Sequence, residues 1–187
     1  MEVLSEVAQA VSAEELKRAR HLPMDAGDDE MINAYLKAAQ AVVETACGRM
    51  MGQRQVAFSV LVGDWRRWWF PVSPVVSLGA IEAFDGVSDW ETLIIGARLQ
   101  MIAKEPQLII TSAGLPARGE EIRITAMVGY DVGKWPLQMT QAVILIAGEW
   151  YEAGIAPEGA ALSELSFTAL RLIKQVRYMR PLEFGGS

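Results

Sequence analysis

Apolar residues recur at helical spacing in two stretches near the start of the chain. Ser12 and Glu15 have the spacing of a capping box, in which hydroxyl and carboxylate each satisfy a free backbone N–H, and this predicts a helix over 13–20. Over 29–47 the apolar residues lie on one side of a helical projection and the polar residues on the other. Gly48 is a residue that ends helices readily, so the second helix is predicted to stop there.

Helical spacing returns in the last third of the chain. It predicts a third helix over 136–152, which is apolar on nearly all sides, and a fourth over 163–178, which has one apolar and one basic side. Pro181 cannot continue a helix, so residues 179–187 are predicted to form an extended tail.

Between these helices, over 53–128, the pattern changes to short runs of β-branched and aromatic residues broken by Gly, Pro and Asp. Such runs are typical of strands. Asp85 and Gly86 are predicted to form a hairpin turn, because both residues tolerate positive φ. The predicted strands are Gln55–Val62, Trp68–Phe70, Val76–Phe84, Glu91–Ile95, Arg98–Ile102, Leu108–Thr111 and Glu121–Met127.

The order of these elements predicts an α+β fold. Two N-terminal and two C-terminal helices form a helical core, and the strand-rich region is an insertion between them. We find no internal repeat, low-complexity tract or long linker, and therefore expect residues 1–187 to form a single domain.

The chain is more apolar than a solitary domain needs to be. When Gly is counted as apolar and Tyr is not, the apolar share is about 58%, against about 45–50% in typical soluble domains. The longest nearly uncharged stretch, 136–148, is too short to span a membrane. Glu2 and Glu6 stand where a secretory signal has basic residues, so we expect a cytosolic protein. The surplus apolar surface, including the second side of the third helix, is expected to contact other subunits.

Charge is divided unevenly between the two ends of the chain. The net charge is −6, yet residues 1–31 hold eight acids and three bases, whereas 166–187 hold four bases and one acid. Ends of opposite sign suit neighbours that associate head to tail. The alternative is that both are ordinary solvated surfaces.

Little in the sequence points to catalysis. His21 and Cys47 are the only residues of their types, which excludes an internal disulfide and a Cys/His zinc site within one chain. The segment GYDVGK lacks the spacing and the hydroxyl of a phosphate loop. Glu149 and Glu152 share a helix side but have no neighbouring group that would separate their pKa values, so a solvated surface is expected.

Aromatic and basic residues alternate in the segment DWRRWWF. This composition can stack nucleic-acid bases, but the negative net charge argues against DNA binding. A hairpin whose aromatic residues pack inward is the simplest alternative. We favour a protein interface formed by Trp65, Arg66 and Trp68, because Trp and Arg anchor interfaces.

Four segments, in order, resemble the head-to-tail connector family, also called adaptor or head-completion proteins, of long-tailed phages and gene transfer agents. The resemblance departs from the family at Met127 and Val128, where small residues are usual, and at Ala153 and Gly154, where Arg is expected. The matching segments are ELKRARHLPMDAGDDEMINAYLKAAQAVVETACGRMM, FPVSPVVSLGAIEAFDG, IRITAMVGYDVGKWPLQMTQAVILIAGEWYE and ALRLIKQVRYMRP.

This resemblance implies a structural protein with no catalytic activity and no cofactor or metal. It would form a ring, usually of twelve copies, between the portal of the head and a tail-side stopper or tail terminator, in the neck of a virion or gene transfer agent particle assembled in the host cytoplasm. Double-stranded DNA would pass through the ring as cargo. The residues implied for portal or subunit contact are Arg171, Lys174, Arg177, Tyr178, Arg180, Pro181, Leu182 and Phe184.

Two alternatives stay open from the sequence. One is a small cytosolic α+β enzyme or ligand-binding domain, which a deep pocket with convergent polar groups would support. The other is a neighbouring stopper ring of the same connector, which only the identity of the binding partner distinguishes from an adaptor.

Overall fold

The structure, a computed structural model, describes residues 1–84, 86, 89–102, 105–154 and 165–180. The predicted α+β class is confirmed. The chain divides into two compact units, so the single domain expected from the sequence stays a prediction. The helical unit comprises Ala8–Gly52 and Tyr130–Tyr178, and the β unit comprises Met1–Val7, Gln53–Gly129 and Met179–Ser187.

Capping residues set the ends of the helices in the helical unit. The Ser12–Glu15 capping box starts the first helix, and Gly48, at a φ of 64°, closes the second. The fourth helix is shorter than predicted: it starts after Ser166, whose hydroxyl accepts the Ala169 N–H, and Ser163 lies outside the described residues. The four helices are α1 (Ala13–Arg20), α2 (Asp29–Cys47), α3 (Leu137–Ala153) and α4 (Phe167–Val176).

Helix α3 lies at the centre of the helical unit. It packs against α1, α2 and α4, which bury most of its apolar side chains, including Ile146 and Trp150. Ile144 and Leu145, on its second side, are half-buried against the same core. Part of this side is therefore left open by the chain's own helices, and the expectation that other subunits cover it stays a prediction.

Contacts at both ends show that α2 and α3 run in opposite directions. The Tyr151 hydroxyl, near the end of α3, donates to Asp28 at the start of α2 over 2.6 Å. At the other end, Arg49 donates to the hydroxyl of Tyr130, which precedes α3. Glu152 is not simply solvated, since it forms an ion pair of 2.7 Å with Arg20 of α1.

The β unit contains two antiparallel sheets. One has the strand order β1-β2-β8-β4-β5 and the other β3-β7-β6. Phe58 of the larger sheet lies against Trp68 of the smaller sheet and against Phe70, which directly follows the same strand, with ring centroids 5.8 and 5.5 Å away. The strands are β1 (Glu2–Val3), β2 (Arg54–Leu61), β3 (Arg67–Trp69), β4 (Val75–Phe84), β5 (Trp90–Thr92), β6 (Ala97–Ile102), β7 (Glu105–Ile110) and β8 (Glu121–Val128).

Strand β4 pairs irregularly with β8, and the predicted hairpin turn follows it in the sequence. Its pairing with β8 shifts between Leu78 and Ile81. Gly79 is required there, since a Cβ at this position would lie 2.5 Å from Thr125 Oγ1. Strands β4 and β5 pair, with Phe84 opposite Trp90, as a hairpin demands. Asp85 lies outside the described residues, and Gly86 has a φ of 84°.

None of the helices that the structure describes combines the length and hydropathy needed to cross a lipid bilayer.

Gln107, in the middle of the three-stranded sheet, is fully buried, and its amide has no hydrogen-bond partner among the described residues. It stands between Trp69 and Gln100 in the register of the sheet. A buried amide without a partner costs about 1–3 kcal/mol of stability.

We predict that Gln107→Met raises the free energy of unfolding by about 1–3 kcal/mol, because it removes this desolvation cost with little change of volume. Gln100→Met is the matched control. Gln100 is half-buried in the adjacent strand, and its substitution is expected to change stability by about 0.5 kcal/mol or less. Urea denaturation of both variants measures the difference, and a destabilising Gln107→Met would contradict the prediction.

Candidate subunit and portal interfaces

Helix α4 presents an exposed side that mixes apolar and basic residues. Phe167 is 78% and Leu170 36% exposed, and Arg171 and Lys174 are also exposed. These four residues, the α4 stripe, follow the i, i+3, i+4, i+7 spacing of a single helix side. Residues Ala169 and Ile173 of the opposite side are buried against α3 and α2. The stripe is the free side of an otherwise packed helix.

The basic residues of this region have no acidic partner in the described part of the chain. No carboxylate there forms an ion pair with Arg171, Lys174 or Arg177. The α4 stripe therefore combines apolar area with positive charge that no described carboxylate pairs, a composition that suits contact with an acidic and partly apolar surface.

The end of α4 is held by the end of α2 through reciprocal hydrogen bonds. Arg49 Nε donates to the Val176 carbonyl over 2.5 Å, and the Tyr178 N–H donates to the Cys47 carbonyl over 2.7 Å. Arg49 also donates to the Tyr130 hydroxyl over 2.7 Å. Each bond to a carbonyl satisfies a group that a helix end leaves free. The chain therefore leaves α4 from a fixed point, and Tyr178, a predicted interface residue, is buried.

Arg180 and Trp68, two predicted interface residues far apart in the sequence, meet in the β unit. The Arg180 guanidinium lies 5.4 Å from the Trp68 ring centroid, a cation–π contact. Trp68 itself is only 7% exposed and packs with Phe58 and Phe70. Its aromatic ring therefore faces the core of the β unit, as the inward-packing alternative expected. Pro181, Leu182 and Phe184 lie outside the described residues.

Trp65 and Arg66 line an open cleft of about 410 Å³ between residues 62–66 and 112–118. The Trp65 Nε1–H donates to the Leu61 carbonyl, and Arg66 donates to the Ser112 carbonyl over 3.2 Å. At the rim, Arg118 and Asp64 form an exposed ion pair of 2.7 Å. The polar groups of the cleft thus bind one another rather than converge on an empty centre.

The start of α2 forms an acidic surface that also exposes two methionines. Met24 is 55% and Met31 46% exposed, beside the exposed carboxylates of Asp25, Asp28 and Glu30. We call these five residues the acidic end. The buried Lys17 ammonium binds Asp29 and the Asp25 carbonyl, which fixes the loop before α2. The hydrogen bond to Asp28 raises the pKa of Tyr151.

Sequence reasoning missed the apolar members of both surfaces. Met24, Met31, Phe167 and Leu170 are exposed, although each lies next to or within a helical pattern that predicted only its buried side. In a helical projection Leu170 lies at the edge of the apolar side of α4. Whether its side chain is buried therefore depends on how α3 packs against α4, which the sequence pattern does not specify.

The comparisons with known proteins concern the fold. No protein-family model and no curated protein sequence matches the chain. Solved structures match nearly the whole chain, among them the following three. A chain from the neck of an empty gene transfer agent particle, computed with sixfold symmetry, is 22% identical, with 97% of each chain covered and a TM-score of 0.77. A chain from the virion of a native gene transfer agent particle is 24% identical, with 97% of each chain covered and a TM-score of 0.74. A chain from the neck of the native particle, computed with twelvefold symmetry, is also 24% identical, with 98% of each chain covered and a TM-score of 0.72.

The chain has the fold of a gene transfer agent neck protein. The fold implied by the resemblance of the four sequence segments is thereby confirmed. Within the described residues, no three His, Cys, Asp or Glu side chains are grouped so that they could hold a metal ion.

We predict that Arg49→Met lowers the free energy of unfolding by about 1–3 kcal/mol, because the Val176 carbonyl and the Tyr130 hydroxyl both lose their donor. Arg171→Met is the matched control, since Arg171 is exposed and has no partner among the described residues, and it should change stability by about 0.5 kcal/mol or less. Equal losses in the two variants, measured by urea denaturation, would contradict this role of Arg49.

Cys47 is fully buried at the same helix end, and burial raises the pKa of its thiol from 9.0 to about 11. The native state thus favours the protonated thiol. We predict that the stability contributed by the buried, protonated thiol is complete below about pH 9 and falls by about 3 kcal/mol in all as the pH rises through about 9 to 11. Cys47→Ala should remove this part of the pH dependence of unfolding, and identical pH profiles for the two proteins would contradict the prediction.

Proposed function

We propose that the chain is a structural adaptor that forms a ring in the neck of a phage-like particle and joins the portal of the head to the tail-side connector. The observation that carries this proposal is the fold shared, over 97% or more of the chain, with chains from particle necks computed with sixfold and twelvefold symmetry. Those symmetries favour a ring of twelve copies. The place of action would be the neck of a virion or gene transfer agent particle.

The chemistry of the described residues supports a structural role rather than an enzymatic one. His21 ends α1 in a left-handed conformation with its side chain exposed, where it serves as a helix cap. Cys47 is buried, and burial raises the pKa of its thiol to about 11, which disfavours the reactive thiolate. In the Trp65 cleft, Asp64 binds Arg118, and Arg66 binds a backbone carbonyl. This gives no support to the enzyme or ligand-binding alternative.

DNA would pass through the ring as cargo. Tight DNA binding depends on Lys and Arg residues that neutralise phosphates, and in this chain the 17 Lys and Arg residues are outnumbered by 23 Asp and Glu residues. A ring of such chains would let DNA move through without holding it.

The basic end of the chain is the proposed portal contact. Arg177 is exposed, and Arg180 is anchored on Trp68 where the tail begins. The tail, which includes Pro181, Leu182 and Phe184, would bind the portal by adding to one of its exposed edges. On the tail side the ring would bind a stopper or a tail terminator.

We predict that a chain ending at Arg180 is retained on the portal at least about tenfold less than the full chain, because the truncation removes apolar and aromatic anchors. It leaves the Tyr178–Cys47 hydrogen bond and the Arg180–Trp68 contact intact. A chain ending at Phe184 is the matched control and should be retained normally. Co-expression with the portal protein of the same particle, followed by affinity capture of the portal, measures retention.

Normal retention of the chain ending at Arg180 would show that the portal contact lies elsewhere. If the full chain itself binds no portal but binds a tail-side protein, the stopper alternative replaces the adaptor.

A further inference from the structure

We propose that the α4 stripe of one copy docks against the acidic end of the helical unit in the neighbouring copy of the ring. This subunit interface rests on the proposed ring function and gives it a specific geometry. The occupant of the stripe is thus a second copy of this chain.

The two surfaces complement each other in charge. Arg171 and Lys174 have no acidic partner in the described residues, while Asp25 and Glu30 are exposed and form no ion pair there. Charges arranged in this way steer association and fix the register of an interface.

The two surfaces also match in apolar character. Phe167 and Leu170 lie among the bases of the stripe, and Met24 and Met31 lie among the acids of the acidic end. A flexible thioether fills irregular gaps and makes favourable contacts with an aromatic ring. An apolar centre within a charged rim is the usual anatomy of a protein interface.

The two surfaces cannot meet within one chain. The acidic end lies at the start of α2, whereas Arg49 and Tyr178 hold the end of α4 at the far end of that helix. The 19 residues of α2 span about 28 Å, and the ten residues of α4 only about 15 Å. Complementary surfaces at separate places on one molecule produce a head-to-tail contact, which closes into a ring when the rotation allows it.

In this interface Arg171 and Lys174 contact the neighbouring subunit. Arg177, Arg180 and the tail then remain available to bind the portal. The alternative occupant of the stripe is the portal itself, and the experiment below separates the two.

The test reverses charge on each surface separately. The basic-side variant is Arg171→Glu with Lys174→Glu, and the acidic-side variant is Asp25→Lys with Glu30→Lys. Each places like charges in contact between identical copies, so each alone should form at least about tenfold less ring than the wild type. The matched control, Lys37→Glu with Lys134→Glu, changes exposed lysines outside both surfaces and should assemble normally.

Mixing the two variants gives the decisive result. In an alternating ring every stripe meets an acidic end of opposite sign, so the mixture should recover rings although neither variant forms them alone. Mass photometry of the full-length proteins, free and bound to the portal protein, measures assembly, and circular dichroism confirms that each variant is folded. Should a reversal unfold the protein, Arg171→Gln with Lys174→Gln, and Asp25→Asn with Glu30→Gln, replace it and should still weaken assembly.

Four results would overturn the proposal. If both variants form rings as the wild type does, or if mixing them fails to restore rings, this interface is refuted and the adaptor role is left intact. Rings that form normally from the basic-side variant but no longer bind the portal assign the stripe to the portal. A wild-type chain that stays monomeric even on the portal refutes the ring function and this interface together.

Discussion

The burial of helix α3 organises the helical unit. Its sequence carries no charged residue before Glu149, and most of its side chains are apolar, so leaving them in water would be costly. Helices α1, α2 and α4 bury most of these apolar side chains within one chain. Because α4 must turn its own apolar side towards α3, its remaining side faces outward with Phe167, Leu170 and two bases. The exposed stripe is thus a consequence of how α3 is buried.

The second constraint is the reciprocal bonding of two helix ends. Arg49 and Tyr178 join the end of α2 to the end of α4, and the opposite end of α2 carries the acidic residues. This separation gives the helical unit a direction, with negative charge at one end and positive charge near the other. A unit with such a direction can associate head to tail without pairing its own charges.

Much of the fold could be predicted because its signals are local. The Ser12–Glu15 capping box, the glycine after α2 and the alternating residues of β2 and β8 determine their elements without long-range information. Strand β1 was missed, since two residues carry no periodicity and pair only because β2 offers an open edge. For the candidate site, the basic side of α4 was predictable, but the meeting of Arg180 with Trp68 depends on tertiary structure and leaves no local pattern in the sequence.

The proposed ring does not require strong contacts between its copies. An exposed ion pair contributes about 0–1 kcal/mol, so one stripe against one acidic end would hold two copies only transiently. In the proposed ring each copy would be held on two sides, and a portal with several equivalent sites would raise the effective concentration of the copies bound to it. Modest, salt-sensitive interfaces between copies would therefore be enough to close the ring there.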